Sequence, residues 1–590
     1  MIIFASFETE FSSHGGLGAV MKLLPKEIGV DQCAVLSPFF KQLIPLDKLL
    51  RDQAITSYTS RFTFHLLIRG TSYPVEVIEA VNRNGLRLFF LSSDEFFRAP
   101  HNPYVNPCNP TLPLDPYRNP NNGEKLAEDA LFFSIAAPVA LVELSKAGLI
   151  QARDLVLHLQ DWETAAIAQA VKRTHTYPAL DSIRCVLTIH NPYDKPLHEL
   201  NAPRVCDFAA HLGFVPHHSI LEQVIPLLDA PVSTVSAGFA HELRNEVLYT
   251  QVFCPHLQAA FKEKGLIGID NGIFGTPTFP FSDDALTDAK AGRFTKLAAE
   301  KKANRVQLES VMRTYQSELA ARSDVTVWGG PLDLADPSVP VFFILGRDDP
   351  RQKGFDVMAE AIRNLPHGVG RYIFAVMPGD EGLLGIAFLR RLAEERPREV
   401  CILPIRIAKN VFDALRLGSS FLVMGSMYEP FGAANEGYLS GMPVVARATG
   451  GLVQQVTPHP TCMQNEALLS LYGRQLVRRY HSSADGATGI LFREHVSFSD
   501  EAEGWRELVD CSYWEQNPKG DRVDERRHIL LFQEMVHSAV AALKLAMSVY
   551  QDPALYAAMI FNGWNMLDQF RWSRSIDTYR KFLYRHSTKE

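Results

Sequence analysis

No two of the eight cysteines, Cys33, Cys108, Cys185, Cys206, Cys254, Cys401, Cys462 and Cys511, stand in a CxxC spacing. That absence removes zinc ribbons and thioredoxin-like redox motifs, and it predicts buried thiols in a reducing cytosol. A basic excess is missing as well. Lys and Arg number 59 against 66 Asp and Glu, a net charge of -7, so there is no nucleic-acid footprint. An anionic nucleotide substrate then needs local basic residues set against the global sign. No apolar run reaches the roughly 18–20 residues that span a bilayer, so no membrane partner is expected. The start, MIIFASFETE, lacks a basic region and a long apolar core. It predicts a buried first strand, not a signal peptide, and a cytoplasmic protein. Internal repeats, low-complexity tracts and His/Cys/Asp sets at metal-ligand spacing are also absent, so neither a metal nor another cofactor is expected.

What is present is 590 residues, 46% hydrophobic and 21% charged, too long for one ordinary core. Two α/β domains of roughly 250 residues each are the natural division. Short apolar runs alternate with helix-compatible segments, the pattern of parallel sheets. Strands are expected at Ile2–Ser6, Cys33–Ser37, Phe62–Ile68, Tyr73–Val81, Leu86–Leu91, Asp154–His158, Cys185–Ile189, Val232–Val235 and Leu266–Ile269. A second series is expected at Val341–Leu345, Tyr372–Met377, Val400–Pro404, Phe421–Met424 and Val444–Ala446. Between the two series, Asp288–Ala321 reads as a charged, exposed helix, with no strand before about Val325. Residues 99–123, crowded with Pro and Asn, read as a surface loop, and residues 501–530 as polar and irregular. The expected division is residues 1–275 and 336–550 as two Rossmann-like domains. Residues 276–335 form the connector, and helices in 551–590 pack across both domains.

The most informative segment is Gly425–Leu452, GSMYEPFGAANEGYLSGMPVVARATGGL. It joins Glu429, a turn through Gly432, a short helix carrying Asn435, an apolar strand and a second turn, Thr449-Gly450-Gly451. Glycine lets backbone N–H groups approach a ligand, and a helix N-terminus favours anions. The order resembles the donor-sugar site of retaining glycosyltransferases with two facing α/β domains, nearest to the glycogen and starch synthases. Four further stretches follow the same order. Ser13-His14-Gly15-Gly16-Leu17-Gly18-Ala19-Val20 resembles the family's KxGGLGDV, with Ser13 at the lysine and Ala19 at the aspartate. His158-Leu159-Gln160-Asp161-Trp162-Glu163-Thr164 resembles HxHDWHT, with Gln160 and Glu163 replacing two histidines. Thr188-Ile189-His190-Asn191-Pro192-Tyr193 resembles TIHNxxY, at a strand end where open α/β sheets bind ligands. In Gly346-Arg347-Asp348-Asp349-Pro350-Arg351-Gln352-Lys353-Gly354, two cations at one turn can neutralise a departing diphosphate.

Smaller echoes are Ser233-Thr234-Val235-Ser236 with Ala240, Glu242 and Leu243 following, taken as architectural, and Asp270-Asn271-Gly272-Ile273, where Phe274 replaces the family aspartate. The family's acceptor-side aspartate has no clear counterpart near Asn121–Lys125. Plain structural roles compete with these functional ones. Asp161 and Glu429 can each cap a following helix, and Asp348 and Asp349 can pair with Arg347 and Lys353.

The resemblance implies a GT-B architecture, with an acceptor-side first domain, a nucleotide-sugar donor domain and a C-terminal helix crossing back. It implies a metal-independent retaining transferase moving glucose from ADP-glucose or UDP-glucose to the non-reducing end of an α-1,4-glucan. By the same resemblance, Arg347 and Lys353 stabilise the diphosphate, and Glu429 binds sugar hydroxyls. His190 and Asp161, with Gln160, orient the sugar and the attacking hydroxyl. Gly15, Gly16, Asn191, Gly432, Asn435, Thr449, Gly450 and Gly451 complete the donor site. Three alternatives stay open: a different enzyme on the same scaffold, such as a nucleotide-sugar epimerase or a phosphorylase; a transferase with another sugar or acceptor; and a catalytically impaired regulator that binds nucleotide-sugar or glucan.

Overall fold

In the computed structural model the apolar runs assemble into two sheets. All residues are described except 14, 99–123, 152, 174–179, 181, 198–201, 324, 350–351, 379–382, 384, 474–479, 482–485, 511–521 and 586–590. The expected loop at 99–123, the stretch Asn121–Gly123, His14 and Arg351 therefore lie outside the described residues.

The first sheet contains β1 (Ile2–Ala5), β2 (Cys33–Pro38), β3 (Ile55–Ile68), β4 (Thr71–Asn82), β5 (Arg87–Ser92), β6 (Val156–Gln160), β7 (Arg184–Ile189), β8 (Val232–Thr234) and β9 (Leu266–Gly268). Their order is β3-β4-β5-β2-β1-β6-β7-β8-β9. From β5 to β9 every pairing is parallel, and β3-β4-β5 is an antiparallel meander. The parallel strands read as continuous apolar runs because helices cover both faces. Ile3, Phe4 and Ala5 at the centre are fully buried. Those helices include α1 (Gly16–Ile28), α2 (Glu124–Lys146), α3 (Trp162–Arg173) and α4 (Ala237–Asn245).

The second sheet contains β10 (Val341–Arg347), β11 (Arg371–Met377), β12 (Val400–Ile402), β13 (Phe421–Met424), β14 (Val444–Arg447) and β15 (Gly489–Phe492), in the order β12-β11-β10-β13-β14-β15. All its pairings are parallel. In the chain, α5 (Thr295–Ala320) lies between the strands of the first sheet and those of the second. The single charged helix expected over Asp288–Ala321 is instead two, Asp283–Lys290 and α5, because Gly292 turns the chain at φ 75°. The strand expected near Val325 is reduced to one bridge, Trp328 to Ile402. β15 has no counterpart among the expected strands. Residues 501–530 contain the helices Ala502–Asp510 and Arg522–Arg526.

In the second domain, α6 (Phe355–Arg363), α7 (Ala434–Tyr438) and α8 (Gly451–Gln455) follow β10, β13 and β14. The helix α9 (Leu530–Tyr550) has the length and mean hydropathy, 1.2, of a spanning helix. Here it is a core helix: Leu531, Phe532, Met535, Ala539, Leu543 and Ala546 are buried where it packs on α6, β14 and β15. The helix α10 (Pro553–Met566) packs on α5, and α11 (Trp572–Tyr579) crosses to pack on α1 in the first domain. Among the described residues cysteine burial holds with one exception, since Cys206 is exposed; Cys108 and Cys511 lie outside them.

Candidate functional site

Each sheet delivers its candidate residues from the C-terminal ends of parallel strands, where such sheets bind ligands. In the second domain β10 ends at Arg347, which is exposed, and the chain turns into α6. Gly354 caps that helix at φ 60°, and a Cβ there would lie 2.2 Å from Gly425 O, so only glycine fits. This close approach sets the Lys353 loop against the loop after β13. Lys353 Nζ donates to Glu429 Oε2 at 2.8 Å, and Ser426 Oγ donates to the same oxygen at 2.9 Å. Glu429 is thus the lysine's partner, not a helix cap, and it is 7% exposed. The two loops are zipped by Met427 N to Gln352 O at 2.7 Å. Behind them Arg447 pairs with Glu494 and donates to Met427 O, while Arg526 pairs with Asp356, all fully desolvated.

The Thr449–Gly451 turn lies directly on Glu429. A Cβ on Gly450, at φ 49°, would stand 1.9 Å from Glu429 O, and Gly451 N donates to that carbonyl at 3.1 Å. Gly432 also needs its left-handed backbone, at φ 97°. Thr449 Oγ1 and Gly450 N donate to Glu242 Oε1 at 3.0 and 2.6 Å, from α4 of the other domain. The first glycine turn repeats the pattern: Gly15 N and Gly18 N donate to Glu8 Oε2 at 3.0 and 3.1 Å. The expectation that N–H groups of Gly15, Gly450 and Gly451 face a ligand is corrected accordingly. Each has an oxygen of the chain as its acceptor, and only Gly16 is left exposed with open space around it.

In the first domain Asp161 sits at the end of β6 with φ 60°. Its Oδ1 accepts from His190 N at 2.5 Å, and the Asn191 N–H also points to this carboxylate. It ties the end of β6 to the end of β7 and does not cap α3. Burial pushes its carboxyl up to about 7, against those two N–H groups, which pull it down. Glu163, buried beside it, is pushed well above the usual carboxylate range by burial and then by the Asp161 charge. His190 Nε2 donates to Gln160 Oε1 at 2.8 Å. Burial lowers His190 to about 3, so the ring is neutral and Nδ1 is its acceptor nitrogen. His158, also lowered to about 3, is held by Tyr584 Oη at 2.9 Å and Thr188 Oγ1 at 2.7 Å, a structural role.

Two of the buried amides left incomplete among the described residues belong to the candidate donor site. Gln160 Nε2 has no hydrogen-bond partner, and neither Nδ2 nor Oδ1 of Asn435 has one. Gln160 is 1% and Asn435 0% exposed, so each lacks bonds worth about 1–3 kcal/mol that a polar ligand or water would supply. Asn191 itself is half-buried.

The two halves meet at a tyrosine pair: Tyr193 Oη and Tyr428 Oη are 2.5 Å apart. Tyr193 stands three residues after His190, and Tyr428 directly precedes Glu429. The histidine turn and the glutamate loop therefore face each other across the domain boundary. Sequence reasoning missed Glu8, Ser426 and the tyrosine pair, and it assigned Glu242 to architecture. An acidic residue placed shortly before a glycine-rich helix start was the available signal for Glu8.

Residues 1–256 match the family model for the starch synthase catalytic domain. Relatives include the glycogen synthase of Lactococcus lactis subsp. lactis, 24% identical over 476 residues, covering 78% of this chain and 86% of the relative. That of Myxococcus xanthus is 27% identical over 473 residues, covering 77% and 86%. Among solved structures, the catalytic domain of starch synthase IV from Arabidopsis thaliana, bound to ADP and acarbose, superposes with a TM-score of 0.58 at 15% identity. It covers 95% of this chain and 99% of its own. Residues 1–256 therefore match a starch synthase catalytic domain, the chain as a whole is a distant relative of the glycogen synthases, and its two parallel-sheet domains have the GT-B fold.

Proposed function

We propose that this protein transfers glucose from ADP-glucose or UDP-glucose to the non-reducing end of an α-1,4-glucan with retention at the anomeric carbon. The observation that carries the reading is the Lys353–Glu429 pair, 2.8 Å apart, next to exposed Arg347 and across the boundary from His190. In the reaction the sugar C1–O bond to the diphosphate breaks and a bond from C1 to the acceptor oxygen forms. Negative charge grows on the leaving diphosphate, and Lys353 and Arg347 meet it. The acceptor hydroxyl proton leaves with the nucleotide diphosphate or to solvent. Glu429 then accepts from sugar hydroxyls, and Gln160 Nε2 donates to one. The orphaned amide of Asn435 supports a further polar contact to the donor. Support for the ligand class comes from the Arabidopsis starch synthase IV domain, which holds ADP and acarbose.

A second reading, an impaired regulator, is favoured by Ser13, Ala19 and Gln160, and by the internal carboxylates at both glycine turns. The deciding experiment incubates purified protein with ADP-glucose or UDP-glucose, with and without glycogen, and follows nucleotide diphosphate release. Glycogen-dependent release with one donor establishes the glucan synthase. Donor binding without release with either points to another sugar or acceptor. Neither release nor binding leaves the regulator.

A further inference from the structure

The helix α4 makes contacts that a solvent-facing connector would not need. Its N-terminal end is pressed against the second domain: a Cβ on Gly238 would stand 2.0 Å from Gly450 O. Gly238 N donates to Gln454 Oε1 at 2.9 Å, and Ser236 Oγ donates to Pro430 O at 2.5 Å. Gln454 Nε2 in turn donates to Asp270 Oδ1 at 2.5 Å. At the other end of the helix Arg493 Nη2 pairs with Glu246 Oε2 at 2.9 Å. Between these points stands Glu242, 4% exposed, which takes Gly450 N and Thr449 Oγ1.

We propose that Glu242 is a positioning residue: when α4 docks on the second domain, its carboxyl locks the Thr449–Gly451 turn and, through that turn, the backbone of Glu429. The path is short. Glu242 holds Gly450 N, Gly450 packs on Glu429 O, and Gly451 N donates to the same carbonyl. Glu429 holds Lys353. Domain docking is thereby communicated to the ion pair assigned to catalysis, so the functional half of this inference rests on the transferase reading.

The lock is also pH-sensitive. Burial pushes the Glu242 carboxyl up to about 7 from 4.5. Glu246 raises it further, and Arg493, the Gly450 N–H and Arg447 lower it. Tyr249 Oη also donates to Glu242 Oε2, at 3.4 Å. A carboxyl raised in the docked state binds its proton there and not when exposed. Docking is therefore favoured at low pH and weakened as pH rises from the exposed value through about 7.

The test compares wild type, Glu242→Gln and Glu242→Ala by solution scattering at pH 5.5 and 8.5, and separately by kcat and donor KM across pH. Wild type is expected to show a larger radius of gyration at pH 8.5. Glu242→Gln keeps an acceptor for Gly450 N and is expected to lose the pH dependence. Glu242→Ala is expected to be extended at both pH values, with kcat about 10–100-fold lower and donor KM changed much less. A pH-dependent radius that persists in Glu242→Gln overturns the proposal, as does a Glu242→Ala protein matching wild type in both radius and kcat. If the wild type transfers nothing from any donor, the transferase reading fails while the scattering series still decides the lock.

Discussion

At the scale of single residues, the two cations of the expected clamp differ in kind. Lys353 is bonded to a buried carboxylate, whereas Arg347 is exposed at the end of β10. Replacing either with Ala removes charge from the leaving group, and turnover should fall about 100-fold or more. Stability should separate them. Lys353→Ala leaves Glu429 without its ammonium and should cost about 1–3 kcal/mol, and Arg347→Ala should cost less than about 1 kcal/mol. Urea denaturation of both variants, beside their kcat values, checks this, and full turnover in both would remove the clamp. Asp161 yields a pH prediction. Its carboxyl lies at about 7 in the fold against 3.8 when exposed, so the folded state holds a proton that the unfolded state has released. The stability it contributes is complete below 3.8 and is lost as pH rises through about 7. Between pH 5.5 and 8 the urea midpoint of wild type should drop further than that of Asp161→Asn. Parallel curves would show that Asp161 does not carry this dependence. His158 and His190 act in the opposite sense: lowered to about 3, they withdraw stability only as pH falls below 6.5.

At the scale of elements, the loops after β10, β13 and β14 are stacked so closely that glycine is the only residue that fits at their crossings. Gly450 against Glu429 O, Gly451 against Phe431 O and Gly354 against Gly425 O are three such crossings. Gly354→Ala must move backbone at φ 60° and push Lys353 away from Glu429. A loss of about 1–3 kcal/mol with a parallel loss of activity is expected. Gly16→Ala is the comparison, since nothing lies within 4 Å of its Cβ position and stability should hold within about 0.5 kcal/mol. Differential scanning calorimetry of the two variants separates crowding at a crossing from a general intolerance of side chains. The turn through Gly450 was expected to bring backbone close to a ligand, and here Gly450 lies close to the chain's own Glu429 carbonyl. Residue type alone shows that a backbone must come near something and does not show what.

At the scale of the whole molecule, the chain ends by returning to its beginning. Trp572 stacks over Gly272, donates Nε1 to Ile273 O at 3.0 Å and joins a cluster with Ile576, Tyr579, Leu17 and Leu24 of the first domain. Trp572→Ala should destabilise by about 3–5 kcal/mol, because its cavity cannot be refilled from either side. Thermal unfolding by near-ultraviolet circular dichroism should show a lowered midpoint. An unchanged midpoint would mean that the crossing contributes nothing to the fold. The strands were largely legible beforehand because a strand covered on both faces is a local apolar run. β15 escaped because it is only four residues long, Gly489–Phe492, too short an apolar run to stand out. The Asp288–Ala321 helix was read too long because one glycine at φ 75° ends a helix without disturbing the charge pattern.

The sequence by itself determined the two α/β halves, the order of the motifs, and the neighbourhood of Arg347, Lys353 and Glu429, because strand-to-helix turns are written in consecutive residues. Only the tertiary structure decided which groups the turns hold. Glu242 and Gly450 are 208 residues apart, and Tyr193 and Tyr428 are 235 apart. No local periodicity encodes such partners: they are chosen when two separately folded sheets close on each other and each buried N–H and hydroxyl must find an acceptor within reach.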